Sequence, residues 1–513
     1  MSSRATPSSD SAPARTDVLI VGTGFSGLGM AIQLRRSGRD DFLLLDKAAE
    51  VGGTWRDNTY PGCACDIPAH MYSFSYALNP NWTRSYSPQA EIYAYLRRVA
   101  DDYDLRRSIR FGVEVESARW DDERSRWTVT ARGGATFDCR VLVSAIGALH
   151  IPHLPAALQR EQFDGPQFHS AQWRHDIGLR GTRAAVVGTG ASSVQFIPEI
   201  ADEVAELHVF QRSAPWVLPR PDRELSERAR RAFQRVPGLQ RAYRDYLYWV
   251  LESRAIGFNG HPRLLQAAER IVRRRVERHV TDPTTRALLT PDYRLGCKRV
   301  LMSNDYLRTF ERSNVHLHGG GVQRVTPRGV LGADGVEHEV DVIIWGTGFH
   351  VTDSFQQLRI TGVAGRDLAR TFERSGVETY LGMNVTGFPN MVFLLGPNTG
   401  LGHNSVVFMI EQQAKYVVRL LDEAERRGGV FDVTRTAQDH FNRVVQSRLE
   451  RGIWSTGGCT SWYLDSHGRN RSIWPGFTWR YWTATRRVDP AAYSWGARRP
   501  PPQRGDTAAL VTV

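Results

Sequence analysis

Along this chain short apolar runs alternate with stretches in which apolar residues return every three or four positions, the pattern of strands threaded between helices. Residues 17–21 (DVLIV) form the first such run; Gly22, Gly24 and Gly27 follow directly, and a helix-like segment reaches residue 36. A second run, residues 42–45, ends at Asp46. The same order returns downstream, where the buried-strand pattern of residues 184–187 leads into Gly188, Gly190 and Ser193 and then a helical segment through residue 200. The next apolar run, residues 207–210, ends in Gln211 and Arg212 instead of an acid. Strand, glycine-rich turn and helix, twice over, predict an α/β protein with two dinucleotide-binding, Rossmann-like domains.

Three β-like runs at residues 113–118, 127–131 and 140–146, with Gly133 and Gly134 at a hairpin turn, predict a β-meander crossing the first domain. Between residues 225 and 289 apolar positions recur at helical spacing, as in Leu239, Tyr243, Tyr246, Leu247 and Val250, beside a face heavy in arginine. This predicts a helical insertion in the second domain. The run Arg273, Arg274, Arg275 with Arg278 reads as a solvated helix face, and the aromatic cluster at 243–249 as core packing or a substrate entrance. The expected organisation is a disordered leader at 1–15, a first dinucleotide domain at 16–150 and 385–498, a second at 151–222 and 290–384 with the insertion at 223–289, and a disordered tail at 499–513. The leader is rich in Ser, Pro and Ala and lacks the apolar stretch of a secretion signal.

Composition narrows the classes. A chain of 513 residues with 41% hydrophobic residues can bury a large core. Its net charge of +12 comes from scattered basic residues, which favours a solvated surface with a few phosphate sites over a nucleic-acid partner. Five cysteines, odd in number and without metal-ligand spacing, argue against a disulfide framework and a structural zinc site. No metal site is therefore expected, and a reducing cytoplasm is the expected compartment. No run of 18 or more apolar residues occurs, so no stable membrane insertion is expected.

Each fingerprint has a chemical reading. The glycines serve a tight turn, close approach of backbone to a pyrophosphate, and close packing of helix on strand, with the pyrophosphate at the positive end of the helix. Asp46 is suited to accept hydrogen bonds from a ribose hydroxyl pair. Arg212, at the matching place in the second unit, can fork onto a 2′-phosphate with bonds of about 1.5–3 kcal/mol each, so NADPH is expected over NADH. Two dinucleotides in one chain imply a hydride passed between them.

The stretch FDGPQFHSAQW, with Phe163, Gly165, His169 and Trp173, lies between the two units and resembles the signature of Baeyer-Villiger monooxygenases. Gly52-Gly53-Thr54-Trp55 followed by Tyr60-Pro61-Gly62 and Asp66 resembles a second motif of that family, and Gly296-Cys297-Lys298-Arg299-Val300 its arginine-bearing segment. The resemblance implies FAD in the first unit, NADPH in the second, and oxidation of a ketone by dioxygen to an ester or lactone. It implies Arg299 as the active-site arginine, Asp66 as its holder and a contact of the cofactors, Trp55 beside the flavin, and Lys298 as a second 2′-phosphate contact. The central motif is then a linker anchored by His169 and Trp173, with His169 not the catalytic base. Residues 341–349 resemble the strand and turn that return to the first domain. A helix from about 406 to 423, starting at Asn404 and Ser405, points its positive end at the flavin, and the aromatic segments 459–463 and 468–476 resemble a wall over the substrate. Arg174 departs from the Pro or Asp usual after the motif tryptophan, which puts the subgroup in doubt. Two alternatives stay open: an oxygenase of amine nitrogen or sulfide sulfur, whose related motif ends in Tyr or Phe, and a flavin disulfide reductase using Cys63 and Cys65, whose spacing fits no such motif.

Overall fold

In the computed structural model, which describes residues 13–258, 261–351, 358–465 and 467–497, the apolar runs become strands of two separate parallel-strand sheets. The first holds β1 (Ala14–Val21), β2 (Phe42–Asp46), β3 (Ile109–Phe111), β4 (Val115–Asp121), β5 (Arg126–Ala131) and β6 (Thr136–Ser144). β1 lies in its middle, parallel to β2 on one side and β6 on the other, while β4, β5 and β6 run antiparallel as the expected meander. Leu19 and Ile20 are wholly buried because helices and meander cover both faces of β1. Helix α1 (Phe25–Arg36) leaves the glycine turn after β1, as its spacing predicts.

The second sheet is built from β7 (Gln167–His169), β8 (Arg183–Val187) and β9 (Glu206–Phe210), with helix α2 (Ala191–Ile200) after β8. A two-stranded parallel pair, β10 (Val217–Leu218) and β11 (Leu301–Met302), connects the ends of the helical insertion. β12 (Val315–His318) then joins the sheet beside β9. An antiparallel sheet of β13 (Val322–Thr326), β14 (Gly329–Gly332) and β15 (Glu337–Glu339) packs on it, and β16 (Val342–Trp345) completes the order β12-β9-β8-β16-β7. The chain next forms β17 (Arg359–Thr361) and β18 (Met391–Phe393), both in the first sheet.

Three boundaries differ from expectation. Ala14 and Arg15 already pair with Phe137 and Asp138, so β1 begins inside the expected leader; backbone hydrogen bonds extend the ladder past the apolar run. Residues 1–12 and 498–513 lie outside the described residues. The return to the first sheet precedes residue 385, since β17 pairs with β4; a three-residue strand with two polar side chains leaves no periodicity to read. The motif stretch is more than a connector, because β7 pairs with β16 as the edge strand of the second sheet.

The insertion is helical: α3 (Glu227–Arg235), α4 (Leu239–Ser253), α5 (Pro262–His279) and α6 (Pro283–Leu288). Helix α4 docks on the first domain, where buried Gln240 donates to Asn79 O at 2.7 Å and buried Arg244 to His70 O at 2.6 Å. The arginine run is not wholly solvated: Arg273 lies over the Trp216 ring and Arg275 donates to Ser303 O. The aromatic cluster divides, with Tyr243 packed on His70 while Tyr246 and Trp249 are exposed. In the C-terminal part, α7 (Val406–Arg426) is capped by Ser405, as expected, and α8 (Thr478–Thr485) follows the aromatic wall. Among the described residues no helix is long and apolar enough to cross a membrane.

Candidate functional site

The first glycine turn is held by close backbone approaches. Gly22 sits at φ 106°, a left-handed conformation that favours glycine, and a Cβ there would come within 2.6 Å of Ala145 O. At Gly27 a Cβ would lie 1.9 Å from Gly22 O, which is why helix and turn can pack so tightly. Gly24 faces Gly53, whose added Cβ would sit 3.1 Å from Gly24 Cα. Asp46, buried at the end of β2, accepts from Thr23 N at 3.0 Å and from Ala48 N at 2.9 Å, so it braces the turn. Trp55 is half-buried and donates its indole N–H to Tyr72 Oη at 3.1 Å.

The second turn repeats this geometry with one exchange. Gly188 has φ 102°, and a Cβ on it would approach Gly346 O to 2.5 Å. Gly190 precedes α2. Ser193, fully buried where the first unit has Gly27, packs its hydroxyl where a Cβ on Gly346 would be, 2.1 Å away. A side chain at 193 thus requires none at 346. Helices α1 and α2 begin with no side-chain cap and no acid in the first turn, whereas Ser226 and Ser405 cap α3 and α7. Uncapped first-turn N–H groups beside glycine cradles fit the diphosphates of two dinucleotides.

Arg212 follows β9 and is exposed, its stem against Gly321. Lys298 donates to Ser213 Oγ at 2.6 Å and lies over the Tyr293 ring. Burial, and then the nearby charge of Arg212, lowers the Lys298 ammonium below its ordinary pKa. Their segments are fastened by Trp216 Nε1 to Tyr293 O and Tyr293 Oη to Ala214 O, both at 2.9 Å.

One residue beyond Lys298, Arg299 meets Asp66. Its Nε and Nη2 both reach Asp66 Oδ2, at 2.8 and 2.5 Å, and Nη1 lies 3.5 Å from Leu401 O. The Asp66 charge raises the Arg299 pKa against the opposing effect of burial, with Tyr463 adding to it, so the guanidinium stays protonated. A third of the Arg299 side chain and a quarter of that of Asp66 remain accessible, at 35% and 26%. The loop carrying Asp66 is docked on α2 through Gln195, which donates to Ala64 O and accepts from Tyr60 Oη, each at 3.0 Å. The pair therefore lies where the two dinucleotide units meet. A depression of about 510 Å³ on the insertion, lined by residues including Arg273, Arg286 and Thr290, contains neither member of the pair.

In the motif stretch, Phe163 is buried and its ring fills the space a Cβ on Gly165 would need. His169 ends β7, and its Nδ1 accepts from Ala171 N at 3.1 Å. Burial holds its imidazole down at about 4, so it is neutral near pH 7. Trp173 packs its ring on Phe168 and Phe196, the latter in α2. Arg174 turns to the surface and pairs with Asp176.

The expectation of no disulfide is corrected: Cys297 and Cys459 are bonded, with Cα atoms 6.1 Å apart, leaving Cys63, Cys65 and Cys139 as free buried thiols. The partners are 162 residues apart and meet only because the C-terminal wall folds over the Arg299 segment, so spacing could not reveal them. Cysteine usage consequently gives no argument for a reducing compartment. Sequence reasoning also missed Ser213 and Gln195 as neighbours of the site, whereas Tyr463 falls in the aromatic segment expected over it. Ser213 adjoins Arg212 and could have been suspected; Gln195 had no local signal.

Two glycine-turn units, each with an uncapped helix, that meet at the Arg299–Asp66 ion pair define a two-dinucleotide flavoprotein oxidoreductase. The family model described as pyridine nucleotide-disulphide oxidoreductase matches residues 19–240. The chain is 45% identical over 495 residues to a Baeyer-Villiger monooxygenase of Pseudomonas aeruginosa, across 96% of this chain and 93% of that one. An oxidized steroid monooxygenase bound to NADP matches with a TM-score of 0.83 at 29% identity, over 94% of this chain and 100% of that one. The OTEMO complex with FAD and NADP matches with a TM-score of 0.84 at 26% identity, over 93% and 98%. The chain belongs to the Baeyer-Villiger monooxygenase family. It is an NADPH-dependent flavoprotein with FAD as its second cofactor, and its reaction is Baeyer-Villiger oxidation.

Proposed function

We propose that the substrate is a ketone, into which the enzyme inserts one oxygen atom beside the carbonyl to give an ester or lactone, with Arg299 and Asp66 as the residues at the reacting atoms. The observation that carries this reading is the partly accessible Arg299 side chain, its guanidinium gripped by Asp66 at 2.8 and 2.5 Å at the meeting of the two units. FAD, when bound, accepts hydride from NADPH and activates dioxygen. Asp66 fixes the guanidinium and keeps it charged; Arg299 stabilises negative charge developing on the substrate oxygen, where a pre-oriented donor acts without reorganising. Arg212 and Lys298 hold the 2′-phosphate of NADPH, Lys298 being oriented by Ser213. The backbone around Gly22, Gly24 and Gly27, with Asp46 behind it, holds the FAD diphosphate and ribose. Gly188, Gly190 and Ser193 do the same for NADPH, and Trp55 borders the flavin. Phe163, Gly165, His169 and Trp173 connect nicotinamide binding to the first unit through packing on α2.

The disulfide-reductase alternative is disfavoured by chemistry: burial pushes the Cys63 thiol up to about 11 and Cys65 higher still, the reverse of what an attacking thiolate needs. The decisive experiment supplies NADPH and a panel of linear, cyclic and steroid ketones to the purified enzyme and seeks products heavier by one oxygen by mass spectrometry. Esters or lactones are expected. Turnover of amines or sulfides with none of any ketone would replace this reading with heteroatom oxygenation.

A further inference from the structure

The expectation of no metal site came from cysteine spacing, and histidines scattered over 130 residues escape such a reading. The fold gathers them on one face of the second sheet. β9 and β12 run parallel with His316 opposite His208, so His208, His316 and His318 share a face; β15 brings His338 over it. Each of His208, His318 and His338 offers a ring nitrogen within 4.8 Å of the other two. His208 Nδ1 and His318 Nε2 are 3.1 Å apart, and the His318 and His338 ring centres 4.2 Å. Two imidazoles on one tetrahedral zinc, each about 2.05 Å from it, have nitrogens about 3.3 Å apart.

The surroundings are also those of a metal site. Glu206 Oε2 lies 3.3 Å from His208 Nε2; the carboxylate fixes the proton there and leaves the Nδ1 lone pair directed at His318. His338 Nε2 is buried and makes no hydrogen bond, with Asp334 Oδ2 4.0 Å away. Phe210 stacks on His318 at 4.7 Å and supplies an apolar wall.

We propose that His208, His318 and His338 bind one divalent transition-metal ion of the zinc class, with the Asp334 carboxylate or water as fourth ligand. The ion fastens the antiparallel β13-β14-β15 sheet to β9 and β12. His318 O also accepts from Gln211 N at 3.0 Å, so the strap ends one residue from Arg212. The site is separate from Arg299 and Asp66 and does not depend on the substrate reading.

The test uses tag-free holoenzyme stripped with a chelator, loaded with Zn²⁺, desalted and assayed for metal content. About one equivalent per chain is expected in the wild type and a loss of at least about tenfold in affinity in His338→Gln. Co²⁺ in place of Zn²⁺ should give visible d–d bands without thiolate charge transfer, which separates the histidines from Cys63 and Cys65. Should His338→Gln lose its FAD, the thermal shift produced by Zn²⁺ is compared between the wild type and His318→Gln, and only the wild type should respond. Failure of the wild type to retain metal, or equal retention in the histidine variants, would overturn the proposal and leave a stack of histidine rings.

Discussion

Arg299 spends two of its nitrogens on a single oxygen of Asp66, and what remains accessible is a positive charge with a fixed direction. Arg299→Ala should therefore lower kcat for ester formation by about 10²–10³-fold. Reduction of bound FAD by NADPH, followed anaerobically by loss of flavin absorbance, should persist; equal loss of both steps would show that the arginine serves the fold or the hydride transfer instead. In the proposed reading Arg212 works on a different group, the 2′-phosphate of NADPH. Removing one charge-assisted bond of about 1.5–3 kcal/mol in Arg212→Ala should raise KM for NADPH by roughly 10- to 100-fold and leave KM for NADH nearly unchanged. An equal rise for both cofactors would sink the 2′-phosphate assignment. Both arginines could be picked out as candidates in the sequence because each adjoins a recognisable motif. Gln195 could not, since its part in the site comes from a contact between segments more than a hundred residues apart; Tyr463 was placed only within the aromatic wall, its approach to Arg299 being another such long-range contact.

At the scale of elements, the two strand-turn-helix units and the insertion were readable because their apolar periods are long and unbroken. The helix ends at Arg36 and Ile200 fall where the pattern stops. Short pieces escaped: β7 and β17 have three residues each, too few to show alternation, and owe their existence to an open edge on a neighbouring strand. The exchange of glycine for Ser193 could be seen in sequence, but its complement could not. Gly346, on the turn after β16, is the residue that makes room for the serine hydroxyl.

For the molecule as a whole, the Cys297–Cys459 bond joins the Arg299 segment to the C-terminal wall across 162 residues of chain. A link that closes so long a loop restricts the unfolded chain strongly, with a typical stabilisation of about 2–4 kcal/mol. Cys459→Ser should lower the denaturant midpoint measured without reductant, and a reducing agent should bring the wild type down to the same value. Midpoints that do not differ would mean that packing alone holds the wall. Cys63→Ser should leave the response to reductant intact.

The carboxylate of Glu252, at the end of α4, is 1% exposed and accepts from Asn404 Nδ2 at 2.8 Å and from Thr478 Oγ1 at 2.9 Å, as well as from Thr478 N. Burial alone would raise its pKa, yet the neighbouring His403 ring and the hydrogen bonds from Asn404 and Thr478 lower it, so it is ionised. One anion thus joins the insertion, the loop before α7 and the start of α8. Replacing any one of these segments by a counterpart from another protein strands a buried charge or a buried donor, each a large penalty. The three segments are consequently one inheritable unit: a graft, a chimera or a drift in sequence that changes position 252 must carry 404 and 478 with it.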